Sequence, residues 1–497
     1  MKRVLIANRG EIALRIIRAC REEQIETVAV YSEADRLAPH VRAADAAICI
    51  GPAAAAESYL RIERLLDAAR SSGADAVHPG YGFLAERAEF ADAVVSAGLT
   101  FIGPPASAIA AMGDKTEARR RMQAAGVPVV PGALEVSETP QMAMRQAGEA
   151  GFPVLLKAAA GGGGRGMRVV RRPEDLGAAF AAAQSEALKA FGDARLYVER
   201  LLERPRHVEI QVLADREGRV AHLGERECSV QRRHQKLIEE APSPAVPPAL
   251  RRTLGDAAVR AAEAVGYVNA GTCEFLLLPT GEFYFLEMNT RLQVEHPVTE
   301  LVYGIDIVRQ QLRIARGEPL TLPKRALSPR GWAIECRITS EDPFTDFLPA
   351  GGTVAYLRLP GGPGVRWDGW IEAGAEVSLF YDSLLGKLIA WAGTRERAIA
   401  RAHRALAELV VVGLPTSREF HQRVLAEPSF ARGEIDIEYW DRVGKALLAR
   451  PATDQQVRVA AIVAALLADE ERGAPLAPGA PPAPAAWLET ARREALR

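Results

Sequence analysis

Cysteine is sparse in this chain of 497 residues: Cys20, Cys49, Cys228, Cys273 and Cys336, an odd number with no Cys-x-x-Cys pair. That argues against a disulfide framework and reads as reduced thiols in a cytosolic protein. The eight histidines show no zinc-ligand spacing. No apolar run reaches the ~18 residues that a membrane-spanning helix needs. Met1 leads into the strand-like "RVLIAN" without a signal-peptide pattern. Charge of one sign is missing as well, since 62 Lys and Arg against 63 Asp and Glu leave a net −1. No global field would draw the chain to nucleic acid or an anionic membrane, so any anion site must be local. The first strand–helix turn, "NRGE", has one glycine and lacks Gly-x-Gly-x-x-Gly, which weakens a dinucleotide reading.

The composition, 48% hydrophobic and 25% charged, is globular, and the length calls for about two to four units. Strand and helix patterns alternate over residues 1–112, from "KRVLIA" through "RGEIALRIIRACREEQ" to "TFIGPP". This predicts an α/β, doubly wound parallel sheet. A second unit over 113–328 mixes strands and helices, with a small subdomain at about 129–201 and a hairpin at 272–288. From 329 to 445 the pattern turns strand-rich, closing on a helix at 395–410. Residues 446–497 differ: a helix at 455–469, a Pro/Ala stretch "GAPLAPGAPPAPAA", then a short charged helix.

Four stretches carry chemistry. In "TCEFLLLPTGEFYFLEMNT", Thr280-Gly281 suits a two-residue turn. Pairing Pro279 with Glu282 then sets Glu274 opposite Glu287, with Asn289, Phe283 and Phe285 on the same face. Facing carboxylates destabilise a sheet, and a divalent cation with oxygen ligands would invert that penalty. A solvated pair on an exposed face is the alternative. In "VLLKAAAGGGGRGMRVV", the glycine run forms a flap between two strands whose backbone N–H groups can close over phosphate, with Lys157 as a point charge. It lacks the Gly-Lys-Ser/Thr ending of a P-loop. In "QRRHQK", Gln231, His234 and Lys236 cluster with Arg232 and Arg233 and offer donors to a small anion; a solvated basic loop is the other reading. In "FLEMNTRLQVEHPVTE", Arg291, Gln293 and Glu295 alternate, so an extended segment would place all three on one side. Arg291 could hold an oxyanion, Glu295 could take its proton, and Arg337 of "ECRI" could join them.

Together with "HPGYGFLAE", "FIGPP…MGDK", "RHVEIQVLAD" and "YDSLLGKLI", these stretches resemble the biotin carboxylases of the ATP-grasp superfamily, in family order from residue 1 to about 445. The resemblance implies an N-terminal Rossmann-like domain, an ATP-grasp domain with a small lid and a strand-rich C-terminal domain. It implies ATP, with Mg²⁺ or Mn²⁺, and biotin as a carrier-bound substrate. Lys115 and Lys157 match phosphate contacts, and Gly163 and Gly164 the flap. Glu199, Arg200 and Leu202 match the adenine side; Lys often stands where Arg200 does. His207 matches a ribose-side contact, and Gln231 and His234 line the nucleotide site. Glu274 and Glu287 match the metal ligands, with Asn289 beside them. Lys236, Arg291, Gln293, Val294 and Glu295 match the bicarbonate pocket, and Arg337 and Tyr81 the surroundings of the biotin ring.

The implied reaction starts when Glu295 deprotonates bicarbonate, which attacks the γ-phosphate. Carboxyphosphate then yields CO₂ and phosphate, and a biotin enolate stabilised by Arg337 captures the CO₂. The chain contains no Met-Lys-Met, so the implied carrier is a separate polypeptide, partnered by a carboxyltransferase subunit. A homodimer in the cytoplasm is expected by family analogy, and the tail at 455–497 is expected to dock a partner. The final acceptor, whether acetyl-CoA, propionyl-CoA or pyruvate, is not encoded here. A carboxylate–amine ligase of the purine-synthesis type is the alternative enzyme, and an inactive nucleotide-binding scaffold the alternative without catalysis.

Overall fold

The computed structural model describes residues 1–133, 135–159, 166–322, 328–449, 458–459 and 461–466. Two units are distinguished, residues 1–448 and 449–497. In the first, the strands β1 Arg3–Ile6, β2 Glu26–Ser32, β3 Ala46–Gly51, β4 Ala76–His78 and β5 Thr100–Phe101 form the expected parallel sheet, in the order β3-β2-β1-β4-β5. Helices cover both faces, because every crossover between parallel strands must return along a face. Gly10–Glu22 packs Ile12, Ile16 and Ile17 into one core, and Ile62–Ser72 packs Leu65, Ala68 and Ala69 into another.

A small three-stranded sheet follows, β6 Val154–Ala158 flanked by β7 Arg168–Val170 and β8 Leu196–Arg200. The helices Pro140–Ala150 and Leu176–Phe191 supply Ala143, Ala147, Phe180 and Ala183 to its core. The predicted glycine flap, with Gly163 and Gly164, lies outside the described residues.

The largest sheet is antiparallel and has eight strands. They are β9 Arg206–Ala214, β10 Val220–Arg232, β11 Gln235–Ala241, β12 Asn269–Leu277, β13 Phe283–Asn289, β14 Trp332–Thr339, and the strands Leu384–Ala392 and Val365–Gly369. Its order is β13-β12-β9-β10-β11-β14, then Leu384–Ala392, then Val365–Gly369. One hydrogen-bonded sheet therefore spans both sides of residue 329. The helix Pro248–Glu263 packs against β9, β10 and β12, where its alanines meet Val208, Ile210 and Phe275.

The hairpin β12–β13 has the expected facing pair, Glu274 opposite Glu287 and Thr272 opposite Asn289. The predicted two-residue turn is corrected: Leu277 pairs with Phe283 and the Leu278 N–H donates to the Glu282 carbonyl at 2.8 Å, so residues 279–281 form a three-residue loop, with Gly281 at φ +89°, where a glycine is favoured. The face assigned to Phe283 and Phe285 is corrected. A bulge between Glu274 and Phe275 pairs Phe275 with Phe285, and both phenylalanines join Phe275 on the core side, away from Glu274. One extra residue in a strand reverses the face of everything beyond it.

In the second unit, residues 458–459 and 461–466 are helical, within the predicted 455–469 helix. The Pro/Ala stretch and the last predicted helix lie outside the described residues.

Candidate active site

The sheet register places ionisable residues in one row. Glu287 of β13 faces Glu274 of β12, Glu274 faces Glu209 of β9, and Glu209 faces Arg226 of β10. Glu274, Glu209 and Arg226 are buried. Adjacent buried carboxylates are costly unless cations and donors satisfy them. Arg226 does this from one side: it pairs with Glu209 and donates to Gln211 Oε1 at 2.8 Å, Thr299 Oγ1 at 2.9 Å and Thr272 Oγ1 at 3.1 Å.

Lys236 does it from the centre. It stands on β11 opposite Gln231, just after the β10–β11 turn at Arg233 and His234, both at positive φ. Its ammonium donates to Glu209 Oε2 at 2.7 Å, Glu274 Oε1 at 2.9 Å and Glu295 Oε1 at 2.7 Å. Burial disfavours the ammonium, but the three carboxylates together hold its pKa well above the usual range. Burial likewise works to raise Glu274 and Glu295, and is outweighed. Lys236 and His207 hold Glu274 well below the carboxylate range, and Lys236, Arg337 and Arg226 hold Glu295 below it.

Glu295 ends the segment after β13 and precedes the helix His296–Tyr303. The predicted extended run over 291–295 is not a strand; it turns into that helix. The side chains converge nevertheless. Gln293 donates to Glu274 Oε1 at 3.0 Å, and Arg291 donates to Gln293 Oε1 at 3.2 Å and Asn289 Oδ1 at 3.1 Å. Arg291 also pairs with Glu86 at 2.7 Å. Arg337 on β14 donates to Glu295 Oε2 at 2.9 Å and Glu239 Oε1 at 2.6 Å. The Val294 carbonyl accepts from the buried Lys387 at 2.8 Å. Tyr81 donates to Glu11, which lies 3.0 Å from the same lysine.

Away from this centre, Gln231 bonds His207 Nδ1 at 2.8 Å, and His207 Nε2 lies 2.9 Å from Glu274 Oε2. Burial opposes protonation of His207, but Glu274 wins and raises its pKa. Lys157 pairs with Glu199 at 2.5 Å, and Arg119 contacts the same carboxylate. Burial pulls the Lys157 pKa down, as do Lys115 and Arg119; the Glu287 carboxylate opposes this. Arg200 is exposed and joins the structure through its backbone, donating to the Pro131 carbonyl at 2.8 Å. Leu202 is half-buried in the turn before β9, and His234 is exposed at the β10–β11 turn. Arg232 and Arg233 do not join the basic cluster expected of them. Both turn to Asp346, at 2.9 Å from Arg233, and Arg232 lies over the Phe347 ring.

Glu209, Arg226, Glu239, Glu86 and Lys387 escaped the motif search. A signal for Glu209 existed: in "RHVEIQ" the polar residues His207, Glu209 and Gln211 alternate within an apolar strand.

Hard oxygen donors for a divalent cation come together where Glu274, Glu287 and Asn289 share a face. Glu287 is half-buried and keeps its carboxylate 3.9 Å from Lys115 Nζ, a donor set that suits Mg²⁺. Neither a metal nor an exposed, solvated face is what makes the facing pair tolerable here: Lys236, Gln293, Asn289 and His207 already satisfy the buried Glu274. His207, Glu209 and Glu274 also have donor atoms within 4.8 Å of one another. There the Lys236 ammonium touches both carboxylates and serves as their cation.

Residues 1–109 match the family described as biotin carboxylase, N-terminal domain. Residues 114–323 match the carbamoyl-phosphate synthase L chain, ATP binding domain, and 335–442 the biotin carboxylase C-terminal domain. A biotin carboxylase of Nostoc sp. is 53% identical over 443 residues, covering 89% of this chain and 99% of that protein. Biotin carboxylase 1 of Bacillus subtilis is 51% identical over 440 residues, 88% of this chain and 98% of that protein. Among solved structures, a nucleotide complex of Campylobacter jejuni biotin carboxylase superposes with a TM-score of 0.86 at 47% identity, covering 89% and 98% of the two chains. The biotin carboxylase domain dimer of Hydrogenobacter thermophilus 2-oxoglutarate carboxylase, bound to MgADP and bicarbonate, also superposes at 0.86, with 45% identity and coverage of 91% and 99%. With three domain matches in order and half the residues shared along nearly the whole of a relative, the chain belongs to the biotin carboxylase family.

Proposed function

We propose that the Lys236-centred cluster is where this chain, an ATP-dependent biotin carboxylase, activates bicarbonate. The observation that carries this is Lys236 bridging Glu209, Glu274 and Glu295 between the Glu274–Glu287 pair and Arg337. On this reading bicarbonate is held by Arg291, Gln293, Lys236 and the Val294 backbone. Glu295 takes its proton, and the freed oxygen attacks the γ-phosphorus of ATP as the bond to ADP breaks. Carboxyphosphate then separates into CO₂ and phosphate. The phosphate removes the N1′ proton of biotin, and N1′ bonds to CO₂ while Arg337 neutralises the ureido oxygen.

A depressed pKa keeps Glu295 ionised at neutral pH but makes it a weak base. An anion that draws Lys236 or Arg337 toward itself strengthens that base, so binding and proton transfer are linked. Lys115 and Lys157 take phosphate oxygens, and Gly163 and Gly164 are assigned to the same nucleotide by the family resemblance. Glu199, Arg200 and Leu202 line the adenine, and His207, Gln231 and His234 the ribose side. Glu274 and Glu287, beside Asn289, would hold Mg²⁺, or Mn²⁺ in its place, which when bound neutralises phosphate charge. Tyr81 borders the biotin ring.

The biotin is carried by a carrier protein or domain, and a carboxyltransferase subunit uses the product. The chain works as a homodimer in the cytoplasm; among the described residues no helix is long and apolar enough to cross a membrane. Residues 446–497 serve as a docking tail: Val459, Ile462, Val463 and Leu466 fall at i, i+3, i+4 and i+7 and are exposed. A deletion after Arg450 should weaken holoenzyme assembly, and unchanged assembly would remove that role.

The test is ATP hydrolysis with bicarbonate, with and without free biotin. Biotin should stimulate turnover, and Glu295→Ala or Arg337→Ala should abolish the stimulation. Stimulation by an amino-imidazole nucleotide would favour the purine-type ligase, and no turnover the scaffold.

A further inference from the structure

Behind Arg337 lies a second facing pair of acids that the reaction does not use. Glu239 of β11 is the Cα partner of Glu335 of β14. Both are fully buried. Glu239 Oε1 accepts from Arg337, but Glu239 Oε2 and both oxygens of Glu335 meet no hydrogen-bond partner. Two residues apart on one strand, Glu335 and Arg337 share a face. Their neighbour Ala333 packs there with Val298 and Val302 of the helix His296–Tyr303.

Charged and titratable groups surround Glu335 on that face. Glu239 comes from β11, Lys387 from the strand Leu384–Ala392, and Arg337 from β14 itself. Glu295 and His296 come from the start of the helix. On the opposite side, His421 of the helix Arg418–Ala426 reaches only the Arg337 carbonyl, at 2.6 Å, and Arg395 of the helix Arg395–Glu408 is engaged by Glu240. Lys387 is committed to Glu11 at 3.0 Å and the Val294 carbonyl at 2.8 Å. An ionised carboxylate with no donor on either oxygen is costly in a dry interior, and two facing ones more so.

We propose that Glu335 is a positioning residue held as the neutral carboxylic acid, and that its neutrality leaves Arg337 enough positive charge to stabilise the biotin enolate. Arg337 already answers two carboxylates, Glu239 and Glu295. A third negative charge on its own face would add to that load and weaken its pull on a new oxyanion. Burial raises the Glu335 carboxyl well above the usual range; Lys387 and Arg337 pull it down, and Glu239 and Glu295 push it further up. The inference rests on the reading of Arg337 as the biotin-side cation.

The test measures kcat/KM for free biotin against pH, at saturating ATP and bicarbonate, in the wild type, Glu335→Gln and Arg337→Ala. The wild type should lose activity on the alkaline side as the acid ionises. Glu335→Gln, permanently neutral, should keep near-wild-type values at neutral pH, with the alkaline limb moved up by about one unit or more. Infrared difference spectra, wild type minus Glu335→Gln, should show a protonated-carboxyl C=O stretch at neutral pH that titrates with the kinetic limb. If the glutamine variant does not fold, Glu335→Met, neutral and of similar length, takes its place. A variant profile that superimposes on the wild type, loss of activity at every pH, or carboxylate bands alone would overturn the proposal. Biotin stimulation that survives in Arg337→Ala would instead remove the reading of Arg337, and the proposal with it.

Discussion

Lys236 and Glu295 are joined at 2.7 Å, and the other oxygen of the same carboxylate holds Arg337 at 2.9 Å. One acid thus links a lysine of β11 that also touches Glu274 to an arginine on the neighbouring β14. Removing the lysine takes one cation from three buried acids, of which Glu209 keeps Arg226, Glu295 keeps Arg337 and Glu274 keeps Gln293, Asn289 and His207. Lys236→Ala is expected to destabilise the fold by about 3 kcal/mol, the lower end of the cost of removing one partner from a buried ion pair. It should also abolish bicarbonate-dependent ATP hydrolysis. Urea unfolding and a coupled assay measure the two effects separately.

Acid should weaken the protein through this same cluster. Glu274 and Glu295 have folded-state pKa values below their unfolded ones. Their contribution is therefore fully present above the unfolded carboxylate pKa of about 4.3 and is lost as pH falls through the folded values. Urea midpoints between neutral pH and pH 3 should fall on acidification, and Glu295→Gln should flatten part of that slope. An unchanged slope would contradict the assignment.

Metal dependence should single out Glu287. Glu287→Gln removes the half-buried member of the facing pair and leaves the Lys236 contacts intact. Its magnesium requirement for ATP turnover should rise by on the order of tenfold or more. Binding of ADP without magnesium, followed by calorimetry, should change little.

The core beneath the site is expected to be sensitive to truncation. Phe275 is fully buried and makes edge contacts with Phe283 and Phe285, at ring-centroid distances of 5.5 and 6.1 Å. Phe275→Ala should cost about 3–5 kcal/mol. Because Phe275 directly follows Glu274, denaturant melts and the magnesium titration should worsen together.

Much of this was legible without coordinates. Alternation of strand and helix patterns gave the parallel sheet, and Glu274 is expected against Glu287, although the loop at 279–281 has three residues and the bulge is what brings that pair into register. The bulge was not legible, because an unpaired residue in a strand leaves no mark in apolar spacing. Arg232 and Arg233 misled for a related reason: adjacent residues in "QRRHQK" read as one cluster, yet positive φ at Arg233 and His234 swings the chain and sends the arginines to Asp346. Glu239 and Glu335 are near neighbours only through the β11–β14 pairing, about a hundred residues apart in sequence, which no local window reaches.

The eight-stranded sheet has a mechanical consequence. Glu274, Lys236 and Arg337 stand on strands of one continuous ladder, whereas Lys157 and Glu199 stand on a separate three-stranded ribbon. On the proposed reading, the residues assigned to the metal, to bicarbonate and to biotin are thus spaced by a single hydrogen-bonded ladder. On the same reading, tightening around a nucleotide falls to the ribbon, which belongs to a different sheet from the one that carries the carboxylation chemistry.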